Sequence, residues 1–142
     1  MEDVFVGQLM SSDVVTVTPG TGVEQAAELL RDNTIGSVIV ADGNEKLRGI
    51  LTSTDFVHIV AENDPKDESS VMDYMTTDVV TVDVQDSVQE AADRLITYSI
   101  HHLPVVDGED HVIGMLSTTD LTSYLSGVEE PTHTESKYAG SS

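Results

Sequence analysis

Along this chain the spacing of apolar residues switches between a strand-like two and a helix-like three to four, and each switch predicts an element. The runs "VVTV" at 14–17 and 79–82 are short, β-branched and flanked by polar residues, so they read as strands. After the turns "TPGTG" and "DVQDS", apolar residues recur on one helical face. They are Val23, Ala26, Ala27 and Leu30 in one stretch, and Val88, Ala91, Ala92 and Leu95 in the other. Capping signatures from Thr21 to Glu24 and from Ser87 to Glu90 predict where these helices begin. Next, "SVIVADGNEKLRGILT" and "LPVVDGEDHVIGMLS" each read as two apolar strands around an Asp-Gly turn, a hairpin. Each hairpin runs straight into a last helix, "STDFVHIVAEN" or "TTDLTSYLSGV".

The pattern is written twice. An ungapped offset of 65 positions lays "MSSDVVTV" (Met10 to Val17) over "MTTDVVTV" (Met75 to Val82), and "IGSVIVADG" over "IHHLPVVDG". It closes with "GILTSTD" (Gly49 to Asp55) over "GMLSTTD" (Gly114 to Asp120), and 18 of the 46 paired positions are identical. Two copies are too few for a solenoid, so a pseudo-twofold pair is expected. The predicted order is β-α-β-β-α twice. Residues 1–62 form the first motif with a lead-in helix, 63–70 a polar linker, 71–127 the second motif and 128–142 a disordered acidic tail.

The repeated heptad combines residue types with a shared chemistry. A strand delivers Thr52 or Ser117 to a helix start, where amides without intrahelical partners and a partial positive charge favour an anion. Thr52, Thr54, Ser117 and Thr119 can donate hydrogen bonds, and Asp55 and Asp120 can accept a pair of sugar hydroxyls. Gly49 and Gly114 leave room for close approach. The plainer reading of the same residues is a hydroxyl N-cap with an acidic first turn.

Composition narrows the field. With no Cys, disulfides, thiolate metal sites and Cys nucleophiles are excluded. Six Lys and Arg against 26 Asp and Glu give a formal net charge of −20, a field that repels nucleic acids and anionic membranes. The acidic residues are dispersed and Lys is scarce, as expected of a halophilic protein in salt that shortens the Debye length to about 3 Å. No apolar run suits a membrane span and the first residues are acidic, so a cytoplasmic location is expected.

The duplicated unit, with "LPVVD" on a strand and G-h-h-[ST]-x-x-D running into the last helix, resembles the cystathionine beta-synthase (CBS) domain, and its tandem arrangement a Bateman module. The resemblance covers about residues 5–126. It implies an α+β fold of two pseudo-symmetric motifs packed sheet to sheet, with two clefts between the copies that bind adenine nucleotides or related adenosyl ligands. No cofactor is implied as obligatory; AMP, ADP, ATP or S-adenosylmethionine would be a regulatory ligand, with Mg²⁺ for the more highly charged ones. By this resemblance the first-copy cleft comprises Met10, Val15, Ile35, Gly36, Ser37, Thr52, Thr54 and Asp55. The second-copy cleft comprises Met75, Val80, Ile100, His101, His102, Pro104, Ser117, Thr119 and Asp120. Backbone groups near the strand starts would read the adenine edge. The valines and isoleucines are equally ordinary core, and the methionines gap-fillers.

The copies differ where "SIHHLPVVD" stands over "TIGSVIVAD". Nucleotide-sensing family members carry a His-Arg pair at the positions of His101 and His102. Here His102 could gain charge beside a phosphate; an exposed strand start that happens to carry two His is the alternative, and adjacent strand residues are poorly placed to share a metal. Arg48 and Lys66 are the nearest candidate cations, while Arg31 and Arg94 are expected to pair with carboxylates. His58, His111 and His133 read as surface or core-edge residues. The resemblance implies a non-catalytic sensor, paired as a homodimer in a disc of four motifs and acting on an unidentified partner protein. An oligomerising adaptor with vestigial clefts is the alternative. Ser53, Asp55 and His58 crowd one junction with no oxyanion hole, so an enzyme is not expected.

Overall fold

The computed structural model describes residues 4–33, 35–62 and 69–127. Most of the expected linker, with Lys66, and the expected tail, with His133, lie outside them. In chain order the elements are α1 (Val6–Leu9), β1 (Thr16–Val17), α2 (Val23–Asn33), β2 (Ser37–Ala41), β3 (Leu47–Thr52), α3 (Ser53–Ala61), a 3₁₀ turn (Val71–Asp73), β4 (Val82–Asp83), α4 (Val88–Thr97), β5 (His102–Val106), β6 (Val112–Ser117) and α5 (Thr118–Ser126). They form two compact units. One is contiguous, Val15–Val79; the other is discontinuous, joining the residues up to Val14 to those from Val80 onward.

Each unit holds a three-stranded sheet, ordered β1-β2-β3 or β4-β5-β6. The outer strand β1 or β4 runs parallel to the middle strand, which requires a crossover, and α2 or α4 supplies it. The hairpin strands pair with matching registers, Ser37 facing Thr52 in one unit and His102 facing Ser117 in the other. Ala26 and Leu30 of α2 cluster with Val38, Val40 and Leu51; Ala91 and Leu95 of α4 cluster with Leu103, Val105 and Leu116. Burying each larger side chain of this kind contributes about 1.5–3 kcal/mol.

Two local expectations are revised. Ser87 caps α4 by accepting from the Glu90 amide at 3.1 Å. Thr21 does not do the same for α2. Its hydroxyl instead accepts the Thr18 amide at 3.1 Å in the preceding turn, and α2 starts after Gly22, the position that the repeat aligns with Ser87. The hairpin turns are also not two-residue Asp-Gly turns. Asp42 Oδ1 accepts the amides of Asn44 and Lys46, and Asp107 Oδ1 those of Glu109 and His111. The left-handed residues are Glu45 and Asp110, at φ 64° and 67°. The Asp carboxylate, rather than glycine freedom, organises these turns.

The repeat continues through the lead-in segments, and this decides how the units are assembled. In the discontinuous unit Val6 N–H donates to Asp86 O at 2.9 Å and Val88 N–H to Val4 O at 2.9 Å. In the contiguous unit Val71 N–H donates to Thr21 O at 2.8 Å and Val23 N–H to Ser69 O at 3.0 Å. Every partner sits at the same offset as the heptads. Val6 and Val71 are both fully buried. The lead-in before the first repeat therefore completes the body of the second, and the segment before the second completes the first.

Candidate functional site

Each hairpin ends in a corner where the last residue of the sheet becomes the N-cap of the following helix. Thr52 Oγ1 accepts the Asp55 amide at 3.2 Å, and Asp55 Oδ2 accepts the Thr52 amide at 2.8 Å. Ser117 and Asp120 repeat this reciprocal box at 3.1 and 2.9 Å. The first helical amide is also taken: Ser53 N–H donates to Gly36 O at 2.9 Å, and Thr118 N–H to His101 O at 3.0 Å. The capping reading of the heptad is thus realised in both copies. Each cap hydroxyl, having accepted, still carries a proton to donate, and a carboxylate has acceptor sites beyond the one that the box uses. Thr54 and Thr119, one step into each helix, are exposed.

The corners gather most of the residues singled out from the sequence, with one exchange. In the contiguous unit Val15, Ile35 and Met75 pack half-buried against the core. Ser37 opens β2 and is buried, and Gly36 lends its carbonyl to the helix start. In the discontinuous unit Met10, Val80 and Ile100 pack against the core, and Pro104 is fully buried in β5. The two methionines have therefore changed places relative to the sequence-based sets: Met10 joins the second-copy corner and Met75 the first.

The same exchange explains the heptad glycines. Ser11 and Met115 exchange two backbone hydrogen bonds of 2.9 Å, and Ile50 and Thr76 exchange two of 3.0 Å. These bridges lay each lead-in across a sheet. A Cβ on Gly49 would stand 2.6 Å from Met75 Sδ and 2.8 Å from Thr76 O, while one on Gly114 would overlap Met10 Sδ. The space at these glycines, expected to admit a ligand, is filled by the chain's own methionines. Repeat identities at Val6/Val71 and Met10/Met75 were the available signal for this packing.

His101 is exposed, whereas His102 is half-buried at the start of β5. Burial, and secondarily the neighbouring charge of His101, pushes the His102 imidazole below the usual 6.5, so it is a neutral hydrogen-bonding group at neutral pH. The cations are placed elsewhere. Arg31 pairs with Asp32 at 2.9 Å. Arg94 donates to Thr81 O at 2.6 Å and pairs with Glu90 at 3.1 Å and Asp86 at 3.6 Å. Arg48 is exposed on β3. Among the described residues of the discontinuous unit, Arg94 is the only Lys or Arg, against nine Asp and Glu. No group of three His, Asp or Glu suited to a metal comes together among the described residues.

The CBS domain family model matches residues 6–62 and 71–127, both copies of the repeat. The chain belongs to the CBS domain family. Its tandem CBS motifs are 35% identical over 117 residues to a homoserine O-acetyltransferase of Methanocorpusculum labreanum, covering 82% of this chain but only 23% of that protein. They are 30% identical over 120 residues to an uncharacterized 17.7 kDa protein of Acidianus ambivalens, covering 84% and 72% of the two chains. Among solved structures, the CBS domain pair of protein MJ0100, in complex with 5′-methylthioadenosine and S-adenosyl-L-methionine, matches with a TM-score of 0.81 and 26% identity over 89% of this chain and 98% of that one. CBSX2 in complex with AMP matches at 0.77 and 25%, with the same coverages. The α+β expectation and the Bateman-module resemblance thus hold. No helix among the described residues is long and apolar enough to cross a membrane.

Proposed function

We propose that this CBS pair is a non-catalytic regulatory module that binds an adenosyl ligand, AMP, ADP, ATP or S-adenosylmethionine, at its strand-to-helix corners. The observation that supports it is the pair of matching corners, each with a reciprocal Ser/Thr–Asp box and an exposed Thr, on a fold shared with CBS pairs in complex with AMP or with 5′-methylthioadenosine and S-adenosyl-L-methionine. Ligand binding alters a homodimer's affinity for a regulated protein; exposed Val57 and Val60 on α3 and Leu125 on α5 supply apolar surface for self-association. The acidic surface makes phosphate ligands bind better in concentrated salt, or as Mg²⁺ complexes.

Titration calorimetry with the four ligands, at about 0.1 M and about 1 M salt, tests the reading. Asp55→Ala and Asp120→Ala, each assayed well below its own melting temperature, assign the working corner: weakened binding in one variant alone identifies it. The adaptor reading is favoured by Gly36 and Ser37 standing where the second copy has its histidines. It is upheld if no ligand raises the melting temperature while the dimer persists.

A further inference from the structure

The two units fasten their outer strands differently. In the contiguous unit Ile39 N–H donates to Val15 O at 3.3 Å, just before β1 begins. The corresponding residues of the other unit are Pro104 and Val80, and proline has no N–H to give. The sheets record the loss: β1 starts at Thr16, whereas β4 starts at Val82, one position later in the repeat. One residue beyond Val80 the chain is held by a side chain instead. Arg94 Nη1, on α4, donates to Thr81 O at 2.6 Å. The guanidinium is itself held by Glu90 at 3.1 Å and by Asp86 at 3.6 Å, and Asp86 Oδ2 also accepts the Asp83 amide at 2.9 Å. The repeat puts Leu29, Gln25 and Thr21 at the places of Arg94, Glu90 and Asp86. Thr21 keeps the turn bond, from the Thr18 amide, but Leu29 only packs against the core. The copy that has lost the ladder bond is the copy that carries the ion cluster.

We propose that Arg94 is a positioning residue that stands in for the missing ladder bond, so that β4 is strapped to its unit by a side chain while β1 is bonded into its sheet. The inference goes beyond the ligand reading above and stands without it. A guanidinium suits this post because its fork can donate to a carbonyl and pair with carboxylates at once. Those carboxylates fix its direction: Glu90 lies one turn earlier on α4, and Asp86 lies in the turn between β4 and α4. The two fastenings open in different ways. A ladder bond is lost only when the strands part, whereas an arginine on a helix can swing away and leave that helix whole. The start of β4 is therefore a strap that can open by itself, with α4 and the β5–β6 hairpin still in place. The matching start of β1 has no such freedom.

Native-state hydrogen exchange of the full chain, followed by NMR at fixed salt and pH, tests this. The reporters are the Val82 amide and the Val84 amide, which donates to Val106 O at 3.1 Å. Arg94→Leu, which installs the residue of the other copy, is expected to speed their exchange about tenfold or more, the worth of a hydrogen bond from a charged donor. The amides of β6 and of β1 should keep their rates. Pro104→Ile, which restores the ladder amide, should return the Arg94→Leu rates most of the way to wild type. Pro104→Ala restores the same amide with less bulk and is read in the same way if the isoleucine does not fold. Unchanged exchange at both reporters in Arg94→Leu overturns the proposal. Equal acceleration across β4, β5 and β6 also overturns it, since the whole unit rather than the strap has then loosened. So does a double variant as fast as Arg94→Leu alone, which would make Arg94 an ordinary helix residue unconnected with Pro104.

Discussion

Replacing each heptad glycine by alanine measures how tightly the lead-in segments clasp the sheets. A Cβ at residue 114 collides mainly with the flexible end of Met10, with Ser11 O next at 3.0 Å. A Cβ at residue 49 meets Met75 Sδ at 2.6 Å and also Thr76 O at 2.8 Å, and that carbonyl is fixed by its bridge to Ile50. Overpacking costs about 1–3 kcal/mol. Gly114→Ala, where a methionine can swing aside, belongs near the lower end, and Gly49→Ala near the upper. In a chain of this size each kcal/mol lowers the melting temperature by roughly 2–4 °C. Truncating the methionine separates the two cases. Combined with Met10→Ala, Gly114→Ala should lose most of its penalty, a coupling of about 1 kcal/mol. Combined with Met75→Ala, Gly49→Ala should keep most of its own, because the backbone oxygen remains. Urea unfolding at fixed salt, with unchanged m-values, reads these differences. A Gly49→Ala variant no less stable than Gly114→Ala, or within about 0.5 kcal/mol of wild type, would show that the lead-ins do not pack as described.

Three further outcomes are expected. Val6→Ala and Val71→Ala should each cost about 2–3 kcal/mol, and hydrogen exchange should place the loosening of Val6→Ala in α4 and β5 and that of Val71→Ala in α2 and β2; the reverse assignment would contradict the exchanged lead-ins. Ser87→Ala should cost about 1 kcal/mol while Gly22→Ser shifts stability by only a few tenths, as judged from thermal melts. Stability should fall in two pH windows. The folded-state value of His102 is lowered by burial and then by His101, so the unfolded chain binds more protons just below 6.5; stability is complete above that pH and declines beneath it, and His102→Gln should flatten the decline. Asp42 and Asp107 are lowered chiefly by backbone hydrogen bonds from their turns, so their contribution is present above 3.8 and lost as pH falls further. Urea midpoints from pH 8 to 3 would reveal both steps.

The elements were legible because each is encoded locally. The spacing of Val23, Ala26 and Leu30 gives α2 its buried face, and the Thr52–Asp55 box fixes where α3 begins. What escaped was tertiary or hidden by near-coincidence. Thr21 looks like a cap because a hydroxyl stands three residues before Glu24, yet the aligned apolar positions put the helix start one residue later. Met10 opens the first copy of the repeat and is grouped with it in sequence; only three-dimensional pairing of Ser11 with Met115 assigns it to the second. Pro104 is legible as part of a strand motif, but that Val80 lacks the amide which Ile39 gives to Val15 appears only once β4 and β5 are in register. His102 likewise needed its burial known before its charge state could be stated.

The discontinuous unit has a consequence for how the protein is born. The body from Val15 to Val79 can close as soon as it leaves the ribosome, since all of its parts have then been made. The strip from Val4 to Val14, translated before that body, must wait for β6 and α4 to be synthesised before Val6 and Met10 find their places. At about 5–20 residues per second, that leaves this apolar strip unsheltered for several seconds while its intended neighbours are still being translated.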